Sequence, residues 1–342
     1  MHGIVVFMNC LVTALFDPEY LKRLKEKVDV IYEPWLDSDG KLRIKQGDDL
    51  VNYLNDHKIE IFICEAEVLR KDVLEQLQTL KIIICAKGTE FFIDFEKATE
   101  KGIIVAYTPG RNANSVAEYT IGLILAITRG IVQNHNLVRN KKWPILSAFS
   151  ERGIELNRKT AGIIGLGAIG YRVGTLLKAF GMNLLVYDPY VKEDRLKSLN
   201  ARQVDLDTLM KEADIVTVHA LLTEETKGMI SKEKLSLMKP TAFFINTSRG
   251  KIVDEDALIE ILEQKRIRGA ALDVYVREPI KRKSKLLELD NVIHTSHIGG
   301  ASADVPYYSS KMAYEEVLRY LEGKPPNHCK NPEVLKKVFP NQ

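Results

Sequence analysis

Short runs of apolar residues alternate with amphipathic segments through the first third of the chain. The runs are four to six residues long, and the segments between them repeat apolar residues at helical spacing. Such an alternation is typical of a parallel sheet covered by helices. The predicted strands are Ile4–Met8, Asp29–Tyr32, Ile59–Cys64, Ile82–Ala86 and Ile103–Ala106. The predicted helices are Pro18–Val28, Gly47–His57, Lys71–Leu80 and Phe95–Lys101.

A turn and a long helix follow this first alternation. A Pro-Gly pair at 109–110 breaks the chain, and Ser115 with Glu118 three residues later fits a capping box, which predicts a helix that starts at Ser115. Residues 133–158 are polar and irregular, so they are the best candidate for a linker. The apolar patch that begins at Trp143 is alternatively a surface that covers a partner subunit.

The alternation returns at residue 160 with strands that are unusually apolar. Near-continuous apolar runs are typical of strands that helices bury on both faces. The predicted strands are Thr160–Ile164, Leu184–Tyr187, Ile215–Val218, Ala242–Ile245, Ala270–Leu272 and Val292–Ile293. A last helix is predicted at Ser302–Leu321. Because 342 residues are enough for two domains, the pattern predicts an α/β protein with two cores.

A glycine-rich turn joins the first of these strands to a helix. Gly165, Gly167 and Gly170 form G-x-G-x-x-G, and Asp188 ends the next strand eighteen residues later. The first glycine allows a tight turn, the second lets the backbone approach a pyrophosphate, and the third lets helix and strand pack closely. The motif alone is weak evidence, but here strand, turn, helix, second strand and acid follow in register. The stretch therefore predicts a dinucleotide site.

Asp188 also bears on which dinucleotide is bound. Its carboxylate can accept hydrogen bonds from ribose hydroxyls and would repel a 2′-phosphate. No Arg or Lys follows it before Lys192. The sequence therefore favours NAD over NADP.

Polar residues follow nearly every strand of the second half of the chain. In a parallel sheet the carboxyl ends of the strands emerge at one edge, where α/β proteins bind ligands. We therefore expect an active site at the edge that carries the glycine turn. The residues at these strand ends are Asp188, His219, Asn246 to Arg249, Asp273 and His294 to His297.

Three of the residues in this region match the needs of a nicotinamide dehydrogenase that acts on an alcohol. His297 can take the hydroxyl proton, because histidine titrates nearest to neutral pH. Glu278 can bond the other ring nitrogen and so fix the proton position. Arg249 can bind a substrate carboxylate through two parallel hydrogen bonds.

At these residues the sequence resembles the D-isomer-specific 2-hydroxyacid dehydrogenase family, most closely its phosphoglycerate dehydrogenase-related members. The resemblance extends over residues 80–305 and includes TAGIIGLGAIG, HALLTEETKGMI, MKPTAFFINTSRGKIVDEDAL, GAALDVYVREP and HTSHIGGAS. It implies that Arg249, Glu278 and His297 are catalytic. It implies an NAD-dependent D-2-hydroxyacid dehydrogenase or 2-keto acid reductase, with a phosphoglycerate, glycerate/hydroxypyruvate or glyoxylate type of substrate.

The resemblance also implies the remaining contacts of the site. The substrate carboxylate would be held by the loop Lys87, Gly88 and Thr89 together with Arg249. The cofactor residues would be Gly165, Gly167, Ala168, Ile169, Gly170, Asp188, His219, Leu221, Thr223, Thr247, Ser248, Arg249, Asp273, His297, Gly299 and Gly300. Ser296 and Leu221 replace prolines that are frequent in the family, and the loop at Lys87 departs from the common pattern, which leaves the substrate open.

A discontinuous layout follows from the same resemblance. Residues 1–112 with 306–342 would form a flavodoxin-like substrate domain, and residues 113–305 an inserted Rossmann NAD-binding domain, each a doubly wound parallel sheet. A homodimer formed through residues 115–150 is expected. A second function class stays open, an NAD(H)-sensing binding protein or corepressor on the same fold. The presence of all three catalytic residues favours the enzyme.

Composition and charge bear on the expected binding partners, metal sites and localisation. A net charge of +3 from 49 basic and 46 acidic residues gives no reason to expect nucleic acid binding. The longest apolar run, Ile121–Ile127, is shorter than the ~20 residues of a membrane span, so no membrane partner is expected. Four cysteines without a C-x-x-C motif predict reduced thiols and no metal site. The first ten residues do not resemble a signal peptide, so we expect a cytoplasmic protein.

Overall fold

Two parallel sheets organise the chain. Its structure, a computed structural model, describes residues 7–89, 92–143 and 153–340. The chain divides into two compact units, Met1–Arg111 with Ala303–Gln342, and Asn112–Ser302. Each unit contains one sheet, and every strand pair is parallel. The predicted α/β architecture is confirmed.

The first unit is built on a five-stranded sheet with the spatial order β2-β1-β3-β4-β5, the flavodoxin-like order. Its strands β1 to β5 are Asn9–Val12, Asp29–Tyr32, Ile61–Cys64, Ile82–Cys85 and Ile104–Tyr107. Helices α1 to α4 connect them at Pro18–Lys25, Gly47–Asp56, Lys71–Gln76 and Phe95–Glu100. The C-terminal helices Val305–Leu321 and Leu335–Val338 also belong to this unit.

Both faces of this sheet are covered. Along β3, Ile61 and Ile63 belong to one hydrophobic cluster, whereas Phe62 and Cys64 belong to the other. Helix Val305–Leu321 packs on the first face, and α2 and α3 pack on the second. This arrangement explains why the strands of the first unit are apolar at successive positions.

The prediction for the first strand is wrong at Phe7 and Met8. The structure places β1 at Asn9–Val12, whereas Phe7 and Met8 lie outside any strand and residues 1–6 lie outside the described residues. Cys10 to Val12 are fully buried between β2 and β3, so burial favours this later segment. The sequence pattern did not predict this strand because it contains the polar Asn9 and a cysteine.

The second unit is built on a seven-stranded sheet with the order β12-β11-β10-β9-β6-β7-β8. Its strands β6 to β12 are Thr160–Ile164, Asn183–Tyr187, Arg202–Gln203, Ile215–Val218, Phe243–Asn246, Gly269–Leu272 and Val292–His294. Its helices α5 to α11 are Ala113–Thr128, Ile131–Arg139, Ala168–Ala179, Glu193–Leu199, Leu206–Glu212, Lys232–Ser236 and Glu255–Glu263. Strand order reverses between β6 and β9, and such a switch point is where doubly wound folds bind ligands.

Two local predictions in this unit are wrong. Helix α5 begins at Ala113 with Asn112 as its N-cap, so Ser115 lies inside the first turn and donates its hydroxyl to Gly299 O instead of capping the helix (2.7 Å). The expected linker 133–158 is partly regular, because helix α6 extends to Arg139. Residues 144–152 of that stretch lie outside the described residues.

No described helix by itself is long and apolar enough to cross a membrane. Helices α5 and α6 pass that length and composition test only as a pair, with a bend of 63° between them.

Candidate active site

The glycine turn lies at the carboxyl end of β6, beside the switch point. Gly165 has φ +89°, in the left-handed region, and a Cβ there would lie 2.7 Å from Ala220 N. A Cβ on Gly170 would lie 2.0 Å from Gly165 O. These two positions admit only glycine because the chain itself approaches them closely.

Gly167 differs from the other two glycines. A Cβ there would meet nothing within 4 Å, and Gly167 is the N-cap of α7 without a side chain to bond the first N–H groups. The helix start therefore presents free backbone donors next to open space. This geometry fits a pyrophosphate, which binds at helix N-termini through those donors. Ala168 and Ile169, which were predicted to contact the cofactor, are the first residues of α7.

Asp188 follows β7 and is fixed by backbone donors. Its Oδ2 accepts Leu166 N–H (2.7 Å) and its Oδ1 accepts Tyr190 N–H (2.9 Å). The carboxylate is thereby held against the glycine turn, where its remaining lone pairs can accept ribose hydroxyls. Arg195 Nη1 donates to Leu166 O (2.8 Å) and lies at the same turn. Arg195 is a residue that the sequence did not indicate, because α8 carries it seven positions beyond Asp188.

His219, at the end of β9, is buried beneath this turn. Its Nε2 pairs with the Thr217 hydroxyl (2.9 Å), whereas Nδ1 is buried with no partner among the described residues. Burial lowers the pKa of His219 to about 3, so the ring is neutral at neutral pH. A buried unpaired ring nitrogen can hydrogen-bond a ligand or a water there. Further along the same loop, Leu221 is exposed and the backbone N–H of Thr223 donates to the Thr226 hydroxyl.

The segment after β10 holds three more predicted residues. The Thr247 hydroxyl pairs with the Thr120 hydroxyl of α5 (2.9 Å), and Ser248 donates its hydroxyl to Ala220 O (2.5 Å). Arg249 is partly buried, and its Nη1 donates to Ser248 O (2.7 Å). These bonds tie the segment to α5 and to the loop that follows β9.

His297 and Glu278 form a direct pair. His297 Nδ1 lies 2.6 Å from Glu278 Oε2, and Glu278 Oε1 accepts Tyr275 N–H (3.1 Å). Because the carboxylate accepts from Nδ1, the free ring nitrogen Nε2 is the one that can exchange a proton with a ligand. Both side chains are partly exposed, at 39% and 38%. This is the arrangement of a base with its orienting carboxylate.

Asp273 holds the loop that carries His297. The residue is 1% exposed, and its carboxylate accepts the Thr295 hydroxyl (2.7 Å), Ile298 N–H (3.0 Å) and Gly299 N–H (2.9 Å). Its backbone oxygen accepts His297 N–H (2.8 Å). Four donors from one loop therefore converge on one aspartate, which gives that aspartate a structural role at the site.

The two glycines that end this loop are closely packed. A Cβ on Gly299 would lie 3.0 Å from Asp273 Oδ2, and a Cβ on Gly300 would lie 2.6 Å from Asn112 Nδ2.

The predicted substrate loop lies in the first unit, after β4. Its Lys87 O accepts Thr108 N–H (3.1 Å), and its Lys87 Nζ lies 5.5 Å from the Phe92 ring centroid. Thr89 of this loop is exposed.

Comparison with known proteins identifies the family. Residues 121–299 match the family model described as D-isomer specific 2-hydroxyacid dehydrogenase, NAD binding domain. The chain is 36% identical over 332 residues to glyoxylate reductase of Thermofilum pendens, with 95% of each protein covered. The chain belongs to the D-isomer specific 2-hydroxyacid dehydrogenase family. The resemblance predicted from the sequence is thereby confirmed, as is the binding of a pyridine nucleotide.

Further members of the D-isomer specific 2-hydroxyacid dehydrogenase family are similar over different lengths. D-3-phosphoglycerate dehydrogenase of Methanocaldococcus jannaschii is 39% identical over 293 residues, which is 84% of this chain and 55% of that protein. The chain thus spans about half the length of the phosphoglycerate dehydrogenases that it matches. The solved D-lactate dehydrogenase of Escherichia coli is 27% identical, with a TM-score of 0.76 over 94% of this chain and 100% of that one.

Proposed function

We propose that the chain is an NAD-dependent oxidoreductase that interconverts a D-2-hydroxy acid and its 2-keto acid. The observation that supports this most strongly is the 2.6 Å pair of His297 and Glu278. It lies at the carboxyl edge of the sheet that also carries the glycine turn. A base, its orienting carboxylate and a dinucleotide turn at one edge are what such a reaction requires.

Each residue of the site has a part in the proposed reaction. Bound NAD would supply the acceptor of the hydride from C2 of the substrate in oxidation, and NADH its donor in reduction. His297 Nε2 takes the proton of the 2-hydroxyl group in oxidation and returns it in reduction. Glu278 holds Nδ1 protonated and stabilises the imidazolium that forms. Arg249 binds the substrate carboxylate and orients the neighbouring oxygen toward His297.

The identity of the acid is a finer proposal. The named relatives act on phosphoglycerate and glyoxylate, so we propose a phosphoglycerate, glycerate/hydroxypyruvate or glyoxylate type of substrate. We further propose that Lys87, Gly88 and Thr89 contact the substrate carboxylate, as the family resemblance implies. In this scheme the first unit is the substrate domain and the second unit is the cofactor domain.

A homodimer is proposed from the surface of α6. None of its residues is buried, although Ile131, Val132 and Val138 are apolar. Trp143, four residues after the helix, is 83% exposed. Apolar side chains clustered on one exposed segment favour burial against a partner.

The function is tested by following NADH absorbance with glyoxylate, hydroxypyruvate, pyruvate, 2-ketoglutarate and phosphohydroxypyruvate. We expect turnover of at least one of them, and we expect His297→Ala to lower kcat by at least about a hundredfold because the proton donor is lost. NADH affinity should stay near the wild-type value. His57→Ala is the matched control, since His57 is an exposed residue at the end of α2.

Two results would contradict the proposal. Wild-type rates in His297→Ala would exclude His297 as the acid and base. Tight NADH binding by the wild type without turnover of any keto acid would favour an NAD-sensing protein instead.

A further inference from the structure

An ion pair at the carboxyl edge of the first sheet links the strands on either side of β4. Glu65 directly follows β3 and Arg111 lies in the turn after β5, and β4 is the strand between them. Arg111 Nη2 lies 2.7 Å from Glu65 Oε1. The two side chains are only 17% and 10% exposed. The pair is therefore largely buried and connects the two neighbours of β4.

The predicted substrate loop, which follows β4, lies between the two partners of this ion pair. On the β3 side, Ala86 N–H donates to the backbone oxygen of Cys64 (2.7 Å), so the loop emerges beside Glu65. On the β5 side, a Cβ on Gly88 would lie 3.6 Å from the backbone nitrogen of the glycine before Arg111. The loop is thus flanked by the chain segments that carry the carboxylate and the guanidinium.

The carboxylate of Glu65 has a fixed place, because both of its oxygens have partners. Oε1 pairs with Arg111, and Oε2 accepts Trp35 Nε1–H (2.9 Å). Trp35 lies in the loop after β2, and its backbone N–H donates to Thr13 O (2.8 Å). The carboxylate therefore cannot change its orientation without breaking two bonds, one of them to a cation.

A second carboxylate, that of Glu67, lies at the same strand end. Glu67 is 3% exposed, and its Oε2 accepts the N–H groups of Glu65 (3.2 Å) and Ala66 (3.1 Å). Its Oε1 is buried with no hydrogen-bond partner among the described residues. An anion close to this carboxylate would meet a further acceptor and no donor, so the second carboxylate also disfavours negative charge here.

The cations at these strand ends are few. In the segments 65–67, 86–89 and 108–111 they are Lys87 and Arg111. Arg111 is engaged by Glu65, which leaves Lys87 for the substrate carboxylate. A phosphate group would add about two negative charges at neutral pH, and proteins hold such a group best with unpaired arginines.

We propose that Glu65 is a specificity-determining residue, which restricts the substrate to 2-keto acids with a single negative charge, such as glyoxylate, hydroxypyruvate and pyruvate. A phosphate or a second carboxylate on the substrate is disfavoured by the like charge of Glu65. The inference rests on the proposed function and on the proposed binding of the substrate carboxylate at Lys87. It narrows the proposed substrates to those without a phosphate.

The first test compares two substrates that differ only by a phosphate group. We expect the wild-type kcat/KM for hydroxypyruvate to exceed that for phosphohydroxypyruvate by about a hundredfold or more, because the phosphate would be placed near a fixed carboxylate. For the same reason, kcat/KM for pyruvate should exceed that for 2-ketoglutarate. NADH absorbance measures all four reactions.

The second test removes the charge of Glu65. Glu65→Gln keeps the size of the side chain and releases the guanidinium of Arg111 from its ion pair. We expect the ratio of the two kcat/KM values to fall about tenfold or more, because phosphohydroxypyruvate becomes a better substrate. Glu100→Gln is the matched control and should keep the wild-type ratio. Glu100 forms an ion pair with Lys97 and precedes β5, at the opposite edge of the sheet.

Calorimetry gives a readout that does not depend on turnover. With NAD present, we expect the wild type to bind D-glycerate more tightly than 3-phosphoglycerate, and Glu65→Gln to bind 3-phosphoglycerate about tenfold or more tightly than the wild type does. Differential scanning fluorimetry shows whether the variant is folded. If it is not, the wild-type kcat/KM ratio and the two wild-type affinities decide.

Two outcomes would overturn the proposal. One is a wild type whose kcat/KM for phosphohydroxypyruvate equals or exceeds that for hydroxypyruvate. The other is a folded Glu65→Gln variant that keeps both the wild-type substrate ratio and the wild-type affinity for 3-phosphoglycerate. If the wild type turns over none of the keto acids, the proposed function fails separately, and the calorimetric affinities still decide whether Glu65 excludes a second anionic group.

Discussion

At the scale of single residues, Asp188 combines two effects that substitutions can separate. Its oxygens accept two backbone N–H groups, from Leu166 and Tyr190, which fix the turn after β7. Its charge is expected to repel a 2′-phosphate. An alanine removes both effects, whereas an asparagine removes the charge and keeps one acceptor oxygen.

We therefore expect Asp188→Ala and Asp188→Asn to reduce the preference for NADH over NADPH by about tenfold or more, equivalent to about 1.4 kcal/mol. Fluorescence titration with both nucleotides measures the two Kd values. Asp188→Asn should lower the unfolding temperature less than Asp188→Ala does. A ratio of Kd values unchanged in both variants would show that Asp188 does not face the ribose.

Residues of the site could be predicted from the sequence only where the kind of side chain at or just beyond a strand end by itself indicates its chemical role. The pairing of His297 with Glu278 met that condition, whereas the catalytic roles of these two residues and of Arg249 stay predictions. Arg195 did not, because its partner Leu166 becomes its neighbour only in the folded chain. Nothing in the local sequence around Arg195 distinguishes it from an ordinary helix position.

At the scale of elements, two glycines of the turn before α7 have different roles, one in folding and the other in ligand binding. A Cβ on Gly170 would collide with Gly165 O at 2.0 Å, whereas a Cβ on Gly167 would enter open space. The third glycine is therefore required by the fold of the turn, whereas we expect the second to be required by the ligand that the turn binds.

Gly170→Ala should lower the unfolding temperature markedly, because backbone must move to relieve the contact. Gly167→Ala should keep the wild-type unfolding temperature and raise the Kd for NADH by about tenfold or more, since its methyl group takes the space of the pyrophosphate. Differential scanning fluorimetry and NADH titration measure both effects. Equal loss of stability in the two variants would contradict this division of roles.

Two of the elements that the sequence did not predict have no buried residues. Strand β8, Arg202–Gln203, is exposed at the sheet edge, and α6 buries none of its residues. The described chain covers no face of either element, so neither is marked by buried apolar residues. Strands β9 to β12 were predicted within one residue at each end, since helices cover both of their faces and leave few polar positions.

At the scale of the whole molecule, the proposed homodimer depends on the apolar residues of α6. We expect the wild type to sediment as a dimer and Val138→Glu to raise the dimer dissociation constant by about tenfold or more, because a charge would have to be buried at the contact. Analytical ultracentrifugation measures both. Leu42→Glu is the matched control, since Leu42 is 62% exposed in the first unit. A wild type that sediments as a monomer at every concentration would refute the proposal.

The backbone of His297 has φ +58°, in the left-handed region, which implies a conflict between the stability of the protein and its proposed activity. An L-residue in the left-handed region costs about 1 kcal/mol relative to glycine. Under selection for heat resistance alone, variants would therefore accumulate glycine at position 297, and on the proposed function each of them would be more stable but inactive. If His297 acts as proposed, histidine at this position favours turnover at some expense of stability.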